Sequence, residues 1–93
     1  MKQIELFYLS GCPYCRKAKQ AIGELIEEVP GYAEIGIKWI EESIEPELAA
    51  CYDYYNVPAL FYEKKKLYEA KPFHSYDTIK ESIRMAFDSV LHL

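Results

Sequence analysis

No stretch of this sequence approaches the about 20 consecutive apolar residues that a membrane-spanning helix needs. There is also no low-complexity segment. The N-terminal Met1-Lys2-Gln3 leads into a strand-like pattern that contains Glu5, without the apolar region and cleavage site of a secretory signal. These absences predict a single globular domain over residues 1–93, located in the cytoplasm and without a membrane partner.

Positive charge is scarce as well. The chain has 11 lysines and arginines against 15 aspartates and glutamates, and its net charge of −4 disfavours binding to a phosphate backbone. The one basic run, Lys64-Lys65-Lys66, lies between Glu63 and Glu69, which is typical of a solvated turn. We therefore expect no nucleic-acid partner.

Cysteine is limited to three residues, too few for the disulfide scaffold of a small secreted domain. Cys12 and Cys15 form a C-x-x-C pair, whereas Cys51 lies among apolar residues of a predicted helix and is interpreted as a small core residue. A zinc site would need two more ligands, and Cys51, His74 and His92 are not closely spaced. We therefore expect no bound metal and interpret the C-x-x-C pair as redox-active.

Hydrophobic periodicity predicts the elements around this pair. Residues 2–9 are typical of a central strand that helices cover on both faces. A helix begins near Pro13, and Pro30-Gly31 ends it. Residues 34–40 alternate in polarity as an edge strand does, so the β-α-β order predicts two parallel strands. The apolar positions of the helix are Cys15, Ala18, Ile22, Leu25, Ile26 and Val29.

The second half of the chain predicts a helix, a hairpin and a final helix. Ser43 or Glu45 caps a helix that is expected to run to about Tyr55, with Asn56 as a left-handed stop. Residues 57–62 and 67–70 form a hairpin around the lysine turn. Ser75 caps the last helix. The buried stripe of that helix is predicted as Ile79, Ile83, Ala86, Phe87 and Val90.

The placement of the two cysteines predicts their chemistry. Cys12 lies just outside the first helix, where the helix N-terminus and nearby Arg16 and Lys17 favour its thiolate. Cysteines so placed have pKa values of about 3.5–7.5, against about 8.5 for a free cysteine. Cys12 is therefore the expected nucleophile, and Cys15, shielded under the first turn, is the thiol that resolves the mixed disulfide.

Val57-Pro58 is the second informative stretch, because proline is admissible only at the start of a strand. A cis prolyl bond would turn the Val57 backbone toward the cysteines, where it could pair with an extended substrate, whereas a trans bond would only open the strand. Sequence spacing leaves both possibilities open. Tyr14, inside the C-x-x-C, is expected to form a flat wall beside the nucleophile and to contact the substrate.

These residues together resemble the thioredoxin superfamily, and in particular its glutaredoxin branch. Cys12-Pro13-Tyr14-Cys15 is similar to the dithiol glutaredoxin motif, and Asn56-Val57-Pro58 is similar to that family's Thr-Val-Pro, whose proline is cis. The resemblance implies an α/β, thioredoxin-like fold with a four-stranded mixed sheet flanked by three helices. It also implies Cys12 as nucleophile, Cys15 as resolving thiol and Pro58 as a cis proline.

The chain departs from this family where the family binds glutathione. Glutaredoxins usually carry a cation three positions before the first cysteine, where this chain has Leu9. They also carry Gly-Gly followed by Asp after the last strand, where residues 70–75 read Ala-Lys-Pro-Phe-His-Ser. Thioredoxins usually have a buried Asp where this chain has Leu6. The missing contacts predict weak binding of glutathione, whose charged ends would be left unpaired.

The sequence therefore predicts a thiol–disulfide oxidoreductase that reduces protein disulfides, or mixed disulfides, through Cys12 and Cys15. It is expected to be a monomer with no bound cofactor, recharged by a reductase or by glutathione as co-substrate. One alternative is a glutathione-dependent glutaredoxin that uses Cys12 alone, with Lys71 and Ser75 supplying the missing contacts. Another is a metal or iron–sulfur carrier that binds through Cys12.

Overall fold

A computed structural model describes residues 2–93, which form a four-stranded sheet and three α-helices. A short 3₁₀ helix, Pro30–Glu34, follows the first α-helix. The order β-α-β-α-β-β-α agrees with the prediction. None of the helices in residues 2–93 is long and apolar enough to cross a bilayer. The strands are β1 (Gln3–Tyr8), β2 (Gly36–Glu41), β3 (Ala59–Tyr62) and β4 (Lys65–Glu69), and the helices are α1 (Pro13–Glu28), α2 (Pro46–Ala49) and α3 (Tyr76–Leu91).

The sheet has the strand order β2-β1-β3-β4, so β1 lies inside it and β2 at an edge. Leu6 of β1 pairs with Trp39 of the parallel strand β2 and with Leu60 of the antiparallel strand β3. β3 and β4 are antiparallel neighbours. The predicted parallel pair, hairpin and edge strand are all confirmed. This arrangement brings the C-terminal ends of β1, β2 and β4 and the N-terminal end of β3 to one side of the molecule.

Apolar side chains cover both faces of the sheet. Successive side chains of a strand point to opposite faces, so a strand that is apolar throughout must be covered on both sides. On one face, Ile4 and Leu6 belong to a buried cluster with residues of α1 and α3. On the other face, Phe7 and Phe61 pack edge to face, with ring centroids 5.8 Å apart, and the aromatic rings of Tyr52 and Tyr54 lie against them. The sequence-based assignment of β1 to the middle of the sheet is therefore confirmed.

The last helix follows the prediction closely. Ser75 caps α3, because its side chain accepts a hydrogen bond from the Thr78 backbone N–H at 3.1 Å. All five residues of the predicted stripe are buried: Ile79, Ile83, Ala86, Phe87 and Val90. In α1 the stripe is buried from Cys15 to Leu25, but Val29 lies beyond the helix and is 40% exposed.

The second helix is shorter than predicted. It ends at Ala49, and the N–H groups of Cys51 and Tyr52 donate to carbonyls only three residues back, as in a tight final turn. The following tyrosines leave the helix to pack on the sheet, and Tyr, Asp and Asn are weak helix formers. The interpretation of Cys51 as a core residue was wrong, because its side chain is exposed.

The predicted left-handed stop at Asn56 was also wrong. Among the non-glycine residues in the described part of the chain, positive φ occurs at Glu63 (49°), Lys64 (67°) and Phe73 (69°). Glu63 and Lys64 form the two-residue turn between β3 and β4, where consecutive positive φ values match the twist of a hairpin. The turn therefore lies one residue earlier than the lysine run alone indicated.

Candidate active site

The two cysteines of the C-x-x-C pair lie at the end of β1, where the chain enters α1. Gly11 has a φ of 82°, a left-handed conformation that glycine adopts readily, and Cys12 follows in an extended conformation as the N-cap of α1. The Cys12 backbone N–H donates to the Leu9 carbonyl at 3.3 Å, and its own carbonyl accepts from the Arg16 N–H at 3.0 Å. The Cys12 side chain makes no capping hydrogen bond, and it is half-buried at the helix N-terminus.

Cys15 occupies the first turn of the helix, with Pro13 at the first position. It is only 6% exposed, and burial raises the pKa of its thiol to about 12. A backbone hydrogen bond near Leu9 acts in the opposite direction, whereas the neighbouring Cys12 sulfur raises the pKa further. Both residues are thiols in this structure. The arrangement thus pairs a half-buried sulfur at the helix end with a buried one that holds its proton.

Tyr14 forms a wall beside this pair. Its hydroxyl accepts a hydrogen bond from the Phe73 backbone N–H at 2.8 Å, and the Lys17 ammonium lies 5.6 Å from the centre of its ring. The tyrosine is therefore held both by the loop that follows β4 and by its own helix.

The cations near Cys12 have contacts of their own. The Arg16 guanidinium donates to the Gly11 carbonyl at 3.0 Å, which helps to hold the turn before Cys12. Lys17 lies over the Tyr14 ring. Among residues 2–93 neither side chain forms a hydrogen bond to the Cys12 sulfur, so any support that they give to the thiolate acts through space and stays a prediction.

Val57-Pro58 lies across the cleft from the cysteines, and the prolyl bond is cis. Pro58 is fully buried, and its carbonyl accepts from the Ala70 N–H at 3.0 Å, which extends the pairing of β3 with β4. The preceding Tyr55 and Asn56 are fixed as well, because both backbone N–H groups donate to the Glu69 carboxylate at 2.9 and 2.8 Å. Of the two possibilities left open by the sequence, the structure has the cis bond.

A cleft of about 270 Å³ brings these segments together. It contains three of the predicted site residues, Cys12, Tyr14 and Val57, while Cys15 lies behind them. Two residues were expected to contact glutathione in the alternative function. Lys71 lines the cleft, whereas the Ser75 side chain caps α3. The lining residues are Leu9, Cys12, Tyr14, Glu42, Tyr55, Asn56, Val57, Ala70 and Lys71.

Glu42 is a charged cleft residue that sequence reasoning missed. It follows β2, its backbone N–H donates to the Tyr8 carbonyl at 3.0 Å, and its carboxylate accepts from the Tyr54 hydroxyl at 2.6 Å. Burial and this carboxylate both raise the pKa of Tyr54 above its usual range. In the sequence Glu41-Glu42 resembles an ordinary charged surface, and only the adjacency of the parallel β1 and β2 ends indicates that one of them reaches the cysteines.

A second and larger cavity, of about 510 Å³, lies on the other side of the C-x-x-C turn. Cys15 forms part of its wall, together with the cationic side chains of Arg16 and Lys19 and the ring of Trp39, which is 40% exposed. Leu9 lines both this cavity and the Cys12 cleft. Cys12 and Cys15 therefore line different cavities.

Comparison with known proteins supports the architecture. No family model matches the sequence, and no curated protein matches it either. Among solved structures, the chain is similar to a single-substitution mutant of thioredoxin from Halobacterium salinarum NRC-1, with a TM-score of 0.62, 20% identity, and coverage of 98% of this chain and 75% of that one. It is also similar to a structure described as a malarial protein, with a TM-score of 0.59, 18% identity, and coverage of 88% and 92%. The predicted thioredoxin-like fold is therefore confirmed.

Proposed function

We propose that this protein is a dithiol–disulfide oxidoreductase with a glutaredoxin-like motif that reduces disulfides in other proteins. The observation that carries the proposal is the pairing of a half-buried thiol at a helix N-terminus, Cys12, with a buried thiol one turn further on, Cys15. The first sulfur lies at the positive end of the helix dipole, whereas burial raises the pKa of the second, which keeps its proton until it is needed.

The reaction needs only these two sulfurs and a bound disulfide. The Cys12 thiolate attacks one sulfur of the substrate, forms a mixed disulfide and releases the other substrate sulfur, which takes up a proton. Cys15 then loses its proton and attacks the Cys12 sulfur, releasing the second substrate thiol. The substrate gains two electrons and two protons, and the protein is left with a Cys12–Cys15 disulfide. A cellular reductase or glutathione must then supply two electrons to restore the dithiol.

The position of Val57 supports an extended protein segment as substrate. Val57 lines the same cleft as Cys12, and the backbone N–H groups of residues 55–56 are anchored to the Glu69 carboxylate. A main-chain edge held this way can pair with a peptide by β-strand addition, and Tyr14 forms the wall at which the substrate disulfide would lie. We propose that the protein acts as a cytoplasmic monomer without a bound cofactor.

One observation favours a second candidate, a glutathione-dependent glutaredoxin that uses Cys12 alone. Lys71 lines the Cys12 cleft, where its ammonium could meet a carboxylate of glutathione. The opposing wall carries Leu9 and the carboxylate of Glu42, neither of which attracts an anion. Retention of activity in Cys15→Ser, with glutathione as the sole reductant of a mixed-disulfide substrate, would favour this candidate over the first.

Reduction of insulin disulfides by dithiothreitol tests the proposal. We expect the wild-type protein to accelerate the reaction, Cys12→Ser to abolish the acceleration, and Cys15→Ser to reduce it strongly. Cys51→Ser is the matched control, because Cys51 is exposed and lies outside both cavities at the C-x-x-C turn. Equal activity in wild type, Cys12→Ser and Cys15→Ser would refute the proposal.

A further inference from the structure

Two side chains of opposite charge line the Cys12 cleft, Glu42 and Lys71. Within residues 2–93, neither takes part in a salt bridge. The Tyr54 hydroxyl holds one carboxylate oxygen of Glu42 at 2.6 Å, and Lys71 is anchored through its backbone, whose N–H donates to the His74 Nδ1 at 3.3 Å. The Glu42 carboxylate is therefore held in place, and the Lys71 side chain extends from a backbone that is held. Neither charge is neutralised by an ion pair within the described residues.

Glu42 and Lys71 come from opposite edges of the sheet. Glu42 directly follows β2 and Lys71 comes shortly after β4, and these are the two edge strands of the sheet. Cys12 follows the inner strand β1, and Val57 precedes the inner strand β3. Since neighbouring strands are about 4.8 Å apart, the three spacings from β2 to β4 amount to roughly 14 Å.

An extended peptide across the cleft has a matching spacing. Its residues rise about 3.3 Å each, and every second side chain points to the same side. If the oxidised cysteine of the peptide faces Cys12, the residues two positions before and two positions after it also face the cleft. Those two side chains are separated by about 13 Å, which is close to the distance between the edge strands.

We propose that the cleft selects its clients by charge polarity. The preferred substrate is an extended segment whose disulfide-bonded cysteine has a basic residue two positions to one side, for Glu42, and an acidic residue two positions to the other, for Lys71. This inference rests on the proposed function. This charge selection would favour longer peptides over glutathione, because a tripeptide reaches only one residue to each side of its cysteine.

Three end-blocked pentapeptides test the inference: Lys-Ala-Cys-Ala-Glu, Glu-Ala-Cys-Ala-Lys and Gln-Ala-Cys-Ala-Gln, each oxidised to its symmetrical disulfide dimer. The measurement is the rate at which pre-reduced protein, without oxygen, converts each dimer to two thiols while its own Cys12–Cys15 disulfide forms. We expect one of the two charged peptides to react about fivefold faster than the other at low salt, which is the size of effect that two exposed charge pairs allow. The difference in rate should shrink in high salt.

Variants connect this preference to the two residues. Glu42→Gln retains an acceptor for the Tyr54 hydroxyl, and both it and Lys71→Gln should lower the rate ratio between the two charged orders. The double exchange Glu42→Lys with Lys71→Glu should invert it. Lys38→Gln and Glu34→Gln, which are exposed and outside the cleft, should leave the ratio unchanged.

The outcomes distinguish this inference from the function on which it rests. If the wild type reduces all three dimers at the same rate, or if the ratio does not respond to either cleft variant, the charge selection is refuted while the reductase activity stands. If none of the dimers is reduced, including the uncharged one, the proposed function itself fails and the selection fails with it.

Discussion

The hydroxyl of Tyr14 accepts a hydrogen bond from the backbone N–H of Phe73 at 2.8 Å, which joins the C-x-x-C turn to the loop between β4 and α3. Phe73 has a φ of 69° and a side chain that is 95% exposed. The same loop is held from the other side, because the His74 Nδ1 lies 2.9 Å from the Tyr68 hydroxyl and 3.3 Å from the Lys71 N–H. The position of Lys71 in the cleft thus depends on contacts with both α1 and β4.

Tyr14→Phe removes the acceptor for the Phe73 N–H. We expect faster hydrogen exchange of that amide and a loss of at most about 1 kcal/mol in the free energy of unfolding, since the freed N–H can reach water. Tyr8→Phe is the control, because no hydrogen bond of the Tyr8 hydroxyl is present among residues 2–93. An unchanged exchange rate at Phe73 in Tyr14→Phe would contradict the proposed link between the turn and the loop.

The raised pKa of Cys15 predicts selective alkylation of the reduced protein. Because burial raises the pKa of Cys15 to about 12, far above pH 8, very little of this thiol is ionised at that pH. Iodoacetamide, which reacts with thiolates, should therefore modify Cys12 and the exposed Cys51 long before Cys15. Mass spectrometry of peptides from a time course measures the three rates. Cys51→Ser simplifies the digest, and modification of Cys15 before Cys12 would contradict the assigned thiol order.

The same shift predicts a loss of stability at alkaline pH. The folded state holds the Cys15 proton more tightly than the unfolded chain does, and this difference stabilises the fold. The stabilisation is fully present below the ordinary cysteine pKa, about 8.5, and is lost as the pH rises toward 12. Reduced wild type should therefore lose more stability than reduced Cys15→Ala between pH 8.5 and about 10, as measured by urea denaturation. Parallel curves for the two proteins would contradict the burial of this thiol.

A cluster between α1 and α3 predicts acid sensitivity. Glu24 accepts hydrogen bonds from the Tyr76 hydroxyl and from Lys80, and these contacts, that of Tyr76 first, lower the pKa of Glu24 to about 2. A lowered carboxyl pKa stabilises the fold above the ordinary value of 4.5, and the stabilisation is lost as the pH falls toward 2.

Glu24→Gln should therefore lower the melting temperature at pH 7, and its difference from wild type should diminish between about pH 4.5 and 2. Glu27→Gln, an exposed carboxylate on the same helix, is the matched control and should have little effect at either pH. A Glu24→Gln difference that is independent of pH would show that the carboxylate charge does not contribute.

Much of the fold could be predicted because the hydrophobic periods are strong. The predicted buried stripe of α3 was correct in all five positions. The order of elements followed from the alternating polarity of the strands and from the prolines and glycines that mark element boundaries. The predictions failed between Cys51 and Asn56, where tertiary packing decides the conformation. Tyr52 and Tyr54 bury their rings against Phe7 and Phe61, and this removes the chain from the helix.

The candidate site was predictable where its residues are close in sequence, as for Cys12, Tyr14 and Cys15. The opposite wall depends on strand order. Glu42 and Lys71 come near Cys12 only because β2 and β4 are the two edges of one sheet whose strand ends meet on the same side. The sequence indicated Lys71 only as an alternative glutathione contact and did not indicate Glu42, so the polarity of the cleft could not be derived from the sequence.

The most direct test of the account is to trap the mixed disulfide. Reduced Cys15→Ser, incubated with an oxidised peptide dimer and analysed by mass spectrometry, should gain the mass of one peptide monomer on Cys12, because the thiol that would release it is absent. Wild type should form a Cys12–Cys15 disulfide and no lasting adduct, and Cys12→Ser should form none at this turn. An adduct on Cys15 in Cys12→Ser at the same rate, or no adduct on Cys12 in Cys15→Ser, would contradict the assignment of Cys12 as the nucleophile.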